Sequence, residues 1–163
     1  MILHVYEAAK KSNAGEVYVA TPDEAIFELV SNYGGKAVLS SETHSTGTDR
    51  IFEVFKNTLK SLPNIIVNLQ GDIPNIEPKI IKNLINYMQQ GKCEVGTLAS
   101  EIKNNFELED ENIVKVLVKE KLKEGIFSEA LDFLRVNPGE DHKTYHHLGI
   151  YAFTSICLLY TSP

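Results

Sequence analysis

The sequence predicts an α/β protein: a mostly parallel sheet with helices on both faces, continued by an antiparallel extension. Three observations carry this. Short β-branched runs alternate with amphipathic helical stretches over the first hundred residues, the rhythm of parallel strands joined by crossover helices. The most apolar run, Ile65 to Leu69, has the length of a strand and reads as a central one. After residue 100 strands recur without long helices between them, as antiparallel strands do.

Taken in order, Val17 to Ala20 reads as a buried strand. Thr21-Pro22-Asp23-Glu24 then reads as a helix start. Thr21 suits the cap, Pro22 the first helical position and Glu24 a capping box. Ile26, Phe27, Leu29, Val30 and Tyr33 follow at helical spacing, and Gly34-Gly35 ends that helix. Ala37 to Leu39 is a second strand. A polar loop, Ser40 to Gly47, leads to a helix carrying Ile51, Phe52, Phe55, Leu59 and Leu62. A helix from Pro78 carries Ile81, Leu84, Ile85 and Met88, and Val95 to Ala99 is another strand. Ile113 to Val118, Leu131 to Val136 and His147 to Phe153 are the later strands. A charged connection, Lys119 to Gly125, and a turn, Asn137-Pro138-Gly139-Glu140-Asp141, lie among them.

The chain has 163 residues, 43% hydrophobic and 23% charged, enough for one domain with a real core. Its formal net charge is −6, which argues against nonspecific binding to nucleic acid or an anionic membrane. A local positive pocket for phosphate or carboxylate is still compatible with it. No apolar run reaches membrane-span length, and Met1 to Lys11 has no signal-peptide layout. Cys93 and Cys157 have neither metal-type nor redox spacing, and reduced thiols in a cytoplasmic protein are expected.

In open α/β sheets ligands bind beyond the carboxyl ends of strands. Thr43 to Arg50 is rich in hydroxyls, has one Gly for close backbone approach and opens a helix. Its free N–H groups can hold a base edge or an anion beside the Arg50 fork. The plain alternative is a capping loop with a solvated Arg. Asn68-Leu69-Gln70-Gly71-Asp72-Ile73-Pro74 ends the apolar strand in a sharp turn from which Asp72 projects. A carboxylate there can hold Mg²⁺ beside a nucleotide phosphate; an ordinary Gly-Asp turn is the alternative. In Tyr145 to Tyr151 the adjacent His146 and His147 point to opposite faces of a strand, so as a pair they cannot form one metal site. One of them could contact a polar substrate, or serve only structure.

In this order the segments resemble the bacterial CMP-Kdo synthetase family (3-deoxy-manno-octulosonate cytidylyltransferases). Met1-Ile2-Leu3-His4-Val5 resembles the family's M-I-x-H-V helix, and Val19-Ala20-Thr21 with Asp23 its V-A-T-D-x-E turn. Gly34-Gly35 matches its G-G. His44 with Gly47-Thr48-Asp49-Arg50 resembles H-x-S-G-T-D-R. Val67-Asn68, Gln70-Gly71-Asp72 and Pro74 resemble V-N-x-Q-G-D-E-P. Val114-Lys115-Val116 resembles V-K-V, Ala130-Leu131 with Phe133 and Arg135 resembles A-L-Y-F-S-R, and His147 to Tyr151 matches H-L-G-I-Y.

The resemblance implies the nucleotide-diphospho-sugar transferase type of fold, and a reaction of CTP with the acidic sugar Kdo for lipopolysaccharide biosynthesis. By position, Thr46, Gly47, Thr48, Arg50 and Gln70 would hold the cytidine nucleotide. Asp72 would bind Mg²⁺ near the α-phosphate, and Arg135, His147 and Tyr151 would face the sugar and its carboxylate, with Asp72 and Arg135 as the catalytic pair. The full-length protein would be a homodimer. Ile73 stands where the family has Glu, Thr46 where it has Ser, and Lys119 to Phe127 does not match its D-x-x-G hairpin.

The family's N-terminal phosphate-gripping loop and its C-terminal part, with a second metal-binding Asp, have no counterpart in the sequence. A partial domain over 1–156 is therefore expected, which alone binds CTP poorly and lacks synthetase activity. Cys157 to Ser162 resembles a translated sequencing-library adapter, so 157–163 reads as a non-native tail. Another acidic-sugar cytidylyltransferase, or a noncatalytic domain of the same fold, is the competing reading.

Overall fold

The computed structural model describes the chain except residues 42, 45, 59–60, 124, 140–142 and 162–163. Leu59, Glu140 and Asp141 of the expected elements, and the last residues of the expected tail, therefore lie outside the described residues. The chain divides into two compact units, Met1–Gly96 with Ile150–Pro163, and Thr97–Gly149.

In the first unit, α1 (Ile2–Lys11) buries Val5, Tyr6 and Ala8, one face at helical spacing. Its last turn carries Lys10 and Lys11, where cations suit the helix dipole. Strand β1 (Tyr18–Thr21) runs parallel to β2 (Lys36–Leu39), with Val19 opposite Ala37. Between them α2 (Glu24–Asn32) crosses over. Its cap is Asp23, whose Oδ1 accepts from the N–H groups of Ala25 and Ile26 at 2.8 and 3.2 Å. The start expected at Thr21 is thus displaced. Thr21 completes β1, and its hydroxyl oxygen accepts from the Asp23 N–H at 3.1 Å, setting up the cap that follows.

Helix α3 (Gly47–Thr58) packs against β1 and β3 (Ile65–Leu69). It stops short of Leu62, which is 57% exposed rather than part of the apolar face; Pro63 disfavours helical backbone at the residue before it. Helix α4 (Pro78–Met88) buries Ile81, Leu84 and Met88 and packs against α1. It is followed by β4 (Val95–Glu101), which leaves the unit after Gly96.

The chain returns at Ile150 within β7 (Thr144–Thr154), and β7 pairs antiparallel with β3, Asn68 facing Tyr151. Helix α6 (Ser155–Thr161) follows. Ser155 Oγ donates to the Pro63 carbonyl, and Leu158 is wholly buried against Phe55 and Phe153. A second cluster gathers Tyr6, Val19 and Val30 with Ile2, Leu3, Val17, Ile26 and Ala37.

In the second unit, β5 (Lys115–Val118) pairs antiparallel with β6 (Ala130–Leu134) on one side and with Thr144 to His146 of β7 on the other. Val116, Val118 and Tyr145 form its core, joined by Ala99 and Leu122, and the Leu122 N–H donates to the Tyr145 hydroxyl at 3.0 Å. Helix α5 (Asn105–Glu109) is capped by Asn104, whose side chain accepts from the Glu107 N–H. The α/β class is as the sequence suggested. Among the described strand pairs β1–β2 is parallel, while β3–β7, β5–β6 and β5–β7 are antiparallel.

Gly35 shows how tightly α2 is seated. A Cβ there would come within 2.7 Å of Val30 Cγ1 and 3.1 Å of the Val30 carbonyl oxygen, and Val30 is wholly buried. Gly35→Ala should therefore destabilise the chain by about 1–3 kcal/mol. Gly15→Ala, where an added Cβ meets nothing within 4 Å, should change stability by less than about 0.5 kcal/mol. Urea unfolding of the two variants checks this.

Candidate functional site

The first unit brings the expected nucleotide segments to the carboxyl ends of its strands. Thr46 caps α3. Its hydroxyl donates to Asp49 Oδ2 at 2.7 Å and accepts from the Asp49 N–H at 3.2 Å, so the hydroxyl kept at this position serves the helix start. Gly47 is exposed and Thr48 half-buried at the first turn of α3. Asn68, buried at the end of β3, points its Nδ2 toward Thr48 Oγ1 at 3.5 Å, long for a hydrogen bond.

Gln70 and Asp72 are exposed just beyond β3. Gly71 fits closely there, since a Cβ would lie 3.1 Å from Ile2 Cδ1. The Asp72 turn is thereby seated on α1. Tyr151, opposite Asn68, stacks on Phe153 with ring centroids 6.0 Å apart, and burial pushes its phenol above the ordinary value.

The loop before α3 is tied back to that helix. Arg50 Nη1 donates to Ser40 Oγ at 2.7 Å and toward the Ser41 carbonyl at 3.4 Å. Glu53 Oε2 accepts from the Ser41 N–H at 3.0 Å and from His44 Nε2 at 2.5 Å. The His44 bond, then the Ser41 bond, hold the Glu53 carboxyl below the usual carboxylate range. A shallow depression of about 280 Å³ beside them is lined by His44, Asp49, Phe52, Glu53, Lys56 and Asn57, and takes in neither Gln70 nor Asp72.

The second unit holds Arg135 and His147. Arg135 is exposed just past β6, and its Nη1 donates to the Glu111 carbonyl at 3.1 Å. His147 is half-buried, edge-on to Phe133 with ring centroids 5.0 Å apart. Thr97 Oγ1 lies 3.0 Å from His147 Nε2 and 3.3 Å from the Leu148 carbonyl, to which it donates. Having one proton, the Thr97 hydroxyl receives the Nε2–H, which sets the imidazole tautomer. Burial, and secondarily His146, pushes the His147 pKa below the ordinary imidazole value.

Sequence reasoning missed Thr97 and the burial of Lys115, which is 0% exposed. The signal for Lys115 was available: a cation in the middle of Ile113 to Val118, an otherwise apolar strand. Among the described residues, no group of three or more His, Cys, Asp or Glu could hold a metal, and no helix is long and apolar enough to cross a membrane.

The first unit starts as a parallel β-α-β. It carries its Gly-Asp turn beyond β3, which lies at the end of its sheet rather than at the centre expected from its apolar run. Ligand sites of α/β folds sit at such carboxyl ends of strands. The chain belongs to the cytidylyltransferase family, whose profile matches residues 1–160. It is 38% identical over 158 residues to the 8-amino-3,8-dideoxy-manno-octulosonate cytidylyltransferase of Shewanella pealeana, covering 94% of this chain and 64% of the relative. It is 35% identical to the 3-deoxy-manno-octulosonate cytidylyltransferase of Brucella anthropi, over 94% of this chain and 62% of that protein.

The solved structure of CMP:2-keto-3-deoxy-manno-octonic acid synthetase complexed with CTP superposes with a TM-score of 0.82 at 33% identity, over 97% of this chain and 64% of that one. The 4-diphosphocytidyl-2C-methyl-D-erythritol synthase of Anaerococcus prevotii, at 16% identity and a TM-score of 0.58, shares the fold. The chain thus spans just under two thirds of the length of these relatives.

The His147 assignment has a pH consequence. Its folded-state pKa lies below the unfolded value, so the folded chain binds this proton less readily. The associated stability is present above the ordinary imidazole range and declines as pH falls through it. NMR titration should place the His147 imidazole below free histidine. Thermal stability should fall as the pH is lowered through that range, and His147→Gln should flatten the fall.

Proposed function

We propose that this chain carries the nucleotide- and sugar-binding part of a cytidylyltransferase that activates Kdo with CTP, giving CMP-Kdo and pyrophosphate. The likeness to the CTP-complexed synthetase, 33% identity at a TM-score of 0.82, carries this reading. The Kdo anomeric oxygen attacks the α-phosphorus of CTP, the bond from that phosphorus to the bridging oxygen of pyrophosphate breaks, and the hydroxyl proton passes to solvent. Positioning and charge neutralisation supply the catalysis, with no covalent intermediate.

Thr46, Gly47, Thr48, Arg50 and Gln70 are assigned to the nucleotide. Arg135, His147 and Tyr151 are assigned to the sugar, with Arg135 forking onto its carboxylate. Asp72 is assigned to Mg²⁺. One exposed carboxylate fits an ion that takes one or two protein carboxylates and completes its shell with phosphate oxygens and water. Bound there, the ion would offset triphosphate charge. Leu131, Phe133 and Val136, which are 60, 44 and 58% exposed on and just after β6, support a homodimer. The absence of a disulfide between Cys93 and Cys157 is compatible with the cytoplasm, which we assign as its compartment. The Shewanella relative favours a second reading, in which the substrate is the 8-amino sugar.

A chimera tests these assignments: residues 1–156 replace the matching segment of the Brucella enzyme, which supplies the remaining length. It should release pyrophosphate from CTP in the presence of Kdo, and no release would overturn the reading. Comparing kcat/KM for Kdo and its 8-amino analogue decides between the two sugars.

In the same chimera, Asp72→Asn should reduce turnover by orders of magnitude without unfolding the protein. Near-normal turnover at limiting Mg²⁺ would remove Asp72 from the metal. Arg135→Lys should raise KM for Kdo more than KM for CTP, because an ammonium cannot form two parallel bonds to a carboxylate. Equal effects on both substrates would contradict the assignment.

A further inference from the structure

Lys115 is the one charged side chain in the buried core of the described residues, at 0% exposure. A buried ammonium is tolerated only when its protons are satisfied. Its Nζ donates to the Asp110 carbonyl at 2.5 Å and to the Arg135 carbonyl at 2.9 Å. Both acceptors are backbone, so the amine holds chain segments in place rather than forming an ion pair with a carboxylate.

The place of these bonds is informative. The β5–β6 ladder ends where Lys115 faces Leu134, so Arg135 is the first residue beyond it. No ladder partner is left for the Arg135 carbonyl, and Lys115 supplies the donor. The Asp110 carbonyl also accepts from the Ile113 N–H at 3.1 Å, closing the turn before β5. Two further ties join the same segments: Arg135 Nη1 to the Glu111 carbonyl at 3.1 Å and Asn137 Nδ2 to Glu109 Oε1 at 2.7 Å. Lys115 is buried where these ties meet, while Arg135 is exposed.

We propose that Lys115 is a positioning residue for recognition of an acidic sugar: its buried ammonium anchors the Arg135 backbone and the 110–111 turn, and so aims the Arg135 guanidinium. The anchoring is geometry. The acidic sugar rests on the cytidylyltransferase reading above. Lys115 touches no substrate in this scheme. The bond to Arg135 fixes where the side chain starts, and the Glu111 carbonyl fixes where its planar fork points. A few tenths of an ångström at either end would spoil a two-bond contact with a carboxylate.

The test uses the 163-residue chain and its Lys115→Met variant, which keeps the apolar stem and removes the donors. Val118→Ala, which trims the same strand without touching Arg135, is the control for plain destabilisation. Hydrogen exchange of the amides at 110–113 and 134–137 is measured together with the Arg135 Nε–H signal. Binding is measured by NMR titration with Kdo and with its neutral methyl ester. The expected result for Lys115→Met is faster exchange in both segments, a displaced Arg135 signal and about tenfold weaker Kdo binding, the scale of a lost charge-assisted contact. Methyl-ester binding should stay unchanged, and Val118→Ala should do none of this.

Unchanged exchange at 134–137 would overturn the proposal. So would equal weakening for Kdo and its ester, or the same pattern in Val118→Ala; each of these leaves the function reading standing. If the unsubstituted chain binds neither Kdo nor its ester at millimolar concentration, the function reading fails and this proposal falls with it.

Discussion

The antiparallel pairing of β3 with the end of β7 is the constraint on which the first unit depends. It joins Ile65–Leu69 to residues 150–154, some eighty positions later in the chain. Its register sets Tyr151 beside Asn68, which points at the first turn of α3. It also delivers Phe153 and Leu158 to Phe55, closing the core from which α3 presents Gly47 and Thr48. A one-residue slip would turn Phe153 outward and separate Tyr151 from Asn68. Local propensity cannot enforce such a pairing; the packing of Ile66 and Tyr151 against Phe55, Phe153 and Leu158 does.

The cations assigned to anionic ligands share a feature that the net charge of −6 conceals. Arg50 and Arg135 donate to hydroxyl or carbonyl oxygens. Lys11, Lys36, Lys119 and Lys143 pair instead with glutamates. Neutral acceptors fix geometry without cancelling charge, so the first group keeps its field for a phosphate or a carboxylate. The second group lies on the exposed surface, where such pairs contribute little.

Element types were legible because their signals are local. The face of α4 follows from Ile81, Leu84 and Met88, and the end of α2 from Gly34-Gly35. Boundaries slipped where two residues competed for one role. Thr21 and Asp23 can both cap, and the charged carboxylate takes the helix while the hydroxyl supports it. The antiparallel β3–β7 pair was not legible, since neither strand's pattern names a partner so far away. The family was readable as motif, from the order of the segments around Gly47, Gln70 and Arg135. The tie from Thr97 to His147 was not, because it crosses fifty residues between side chains of ordinary type.

The second unit leaves and rejoins the chain at Thr97 and Gly149, and Thr97 Oγ1 reaches the Leu148 carbonyl at 3.3 Å. An insertion whose ends lie side by side can be exchanged with little disturbance to its host. The host keeps the segments proposed for the nucleotide, together with Tyr151, and the inserted part keeps Arg135 and His147. Gene duplication followed by change inside the insertion would then create new acceptor preferences at small cost to the donor side. That is one physical route by which relatives named for two different octulosonates could arise from a common ancestor.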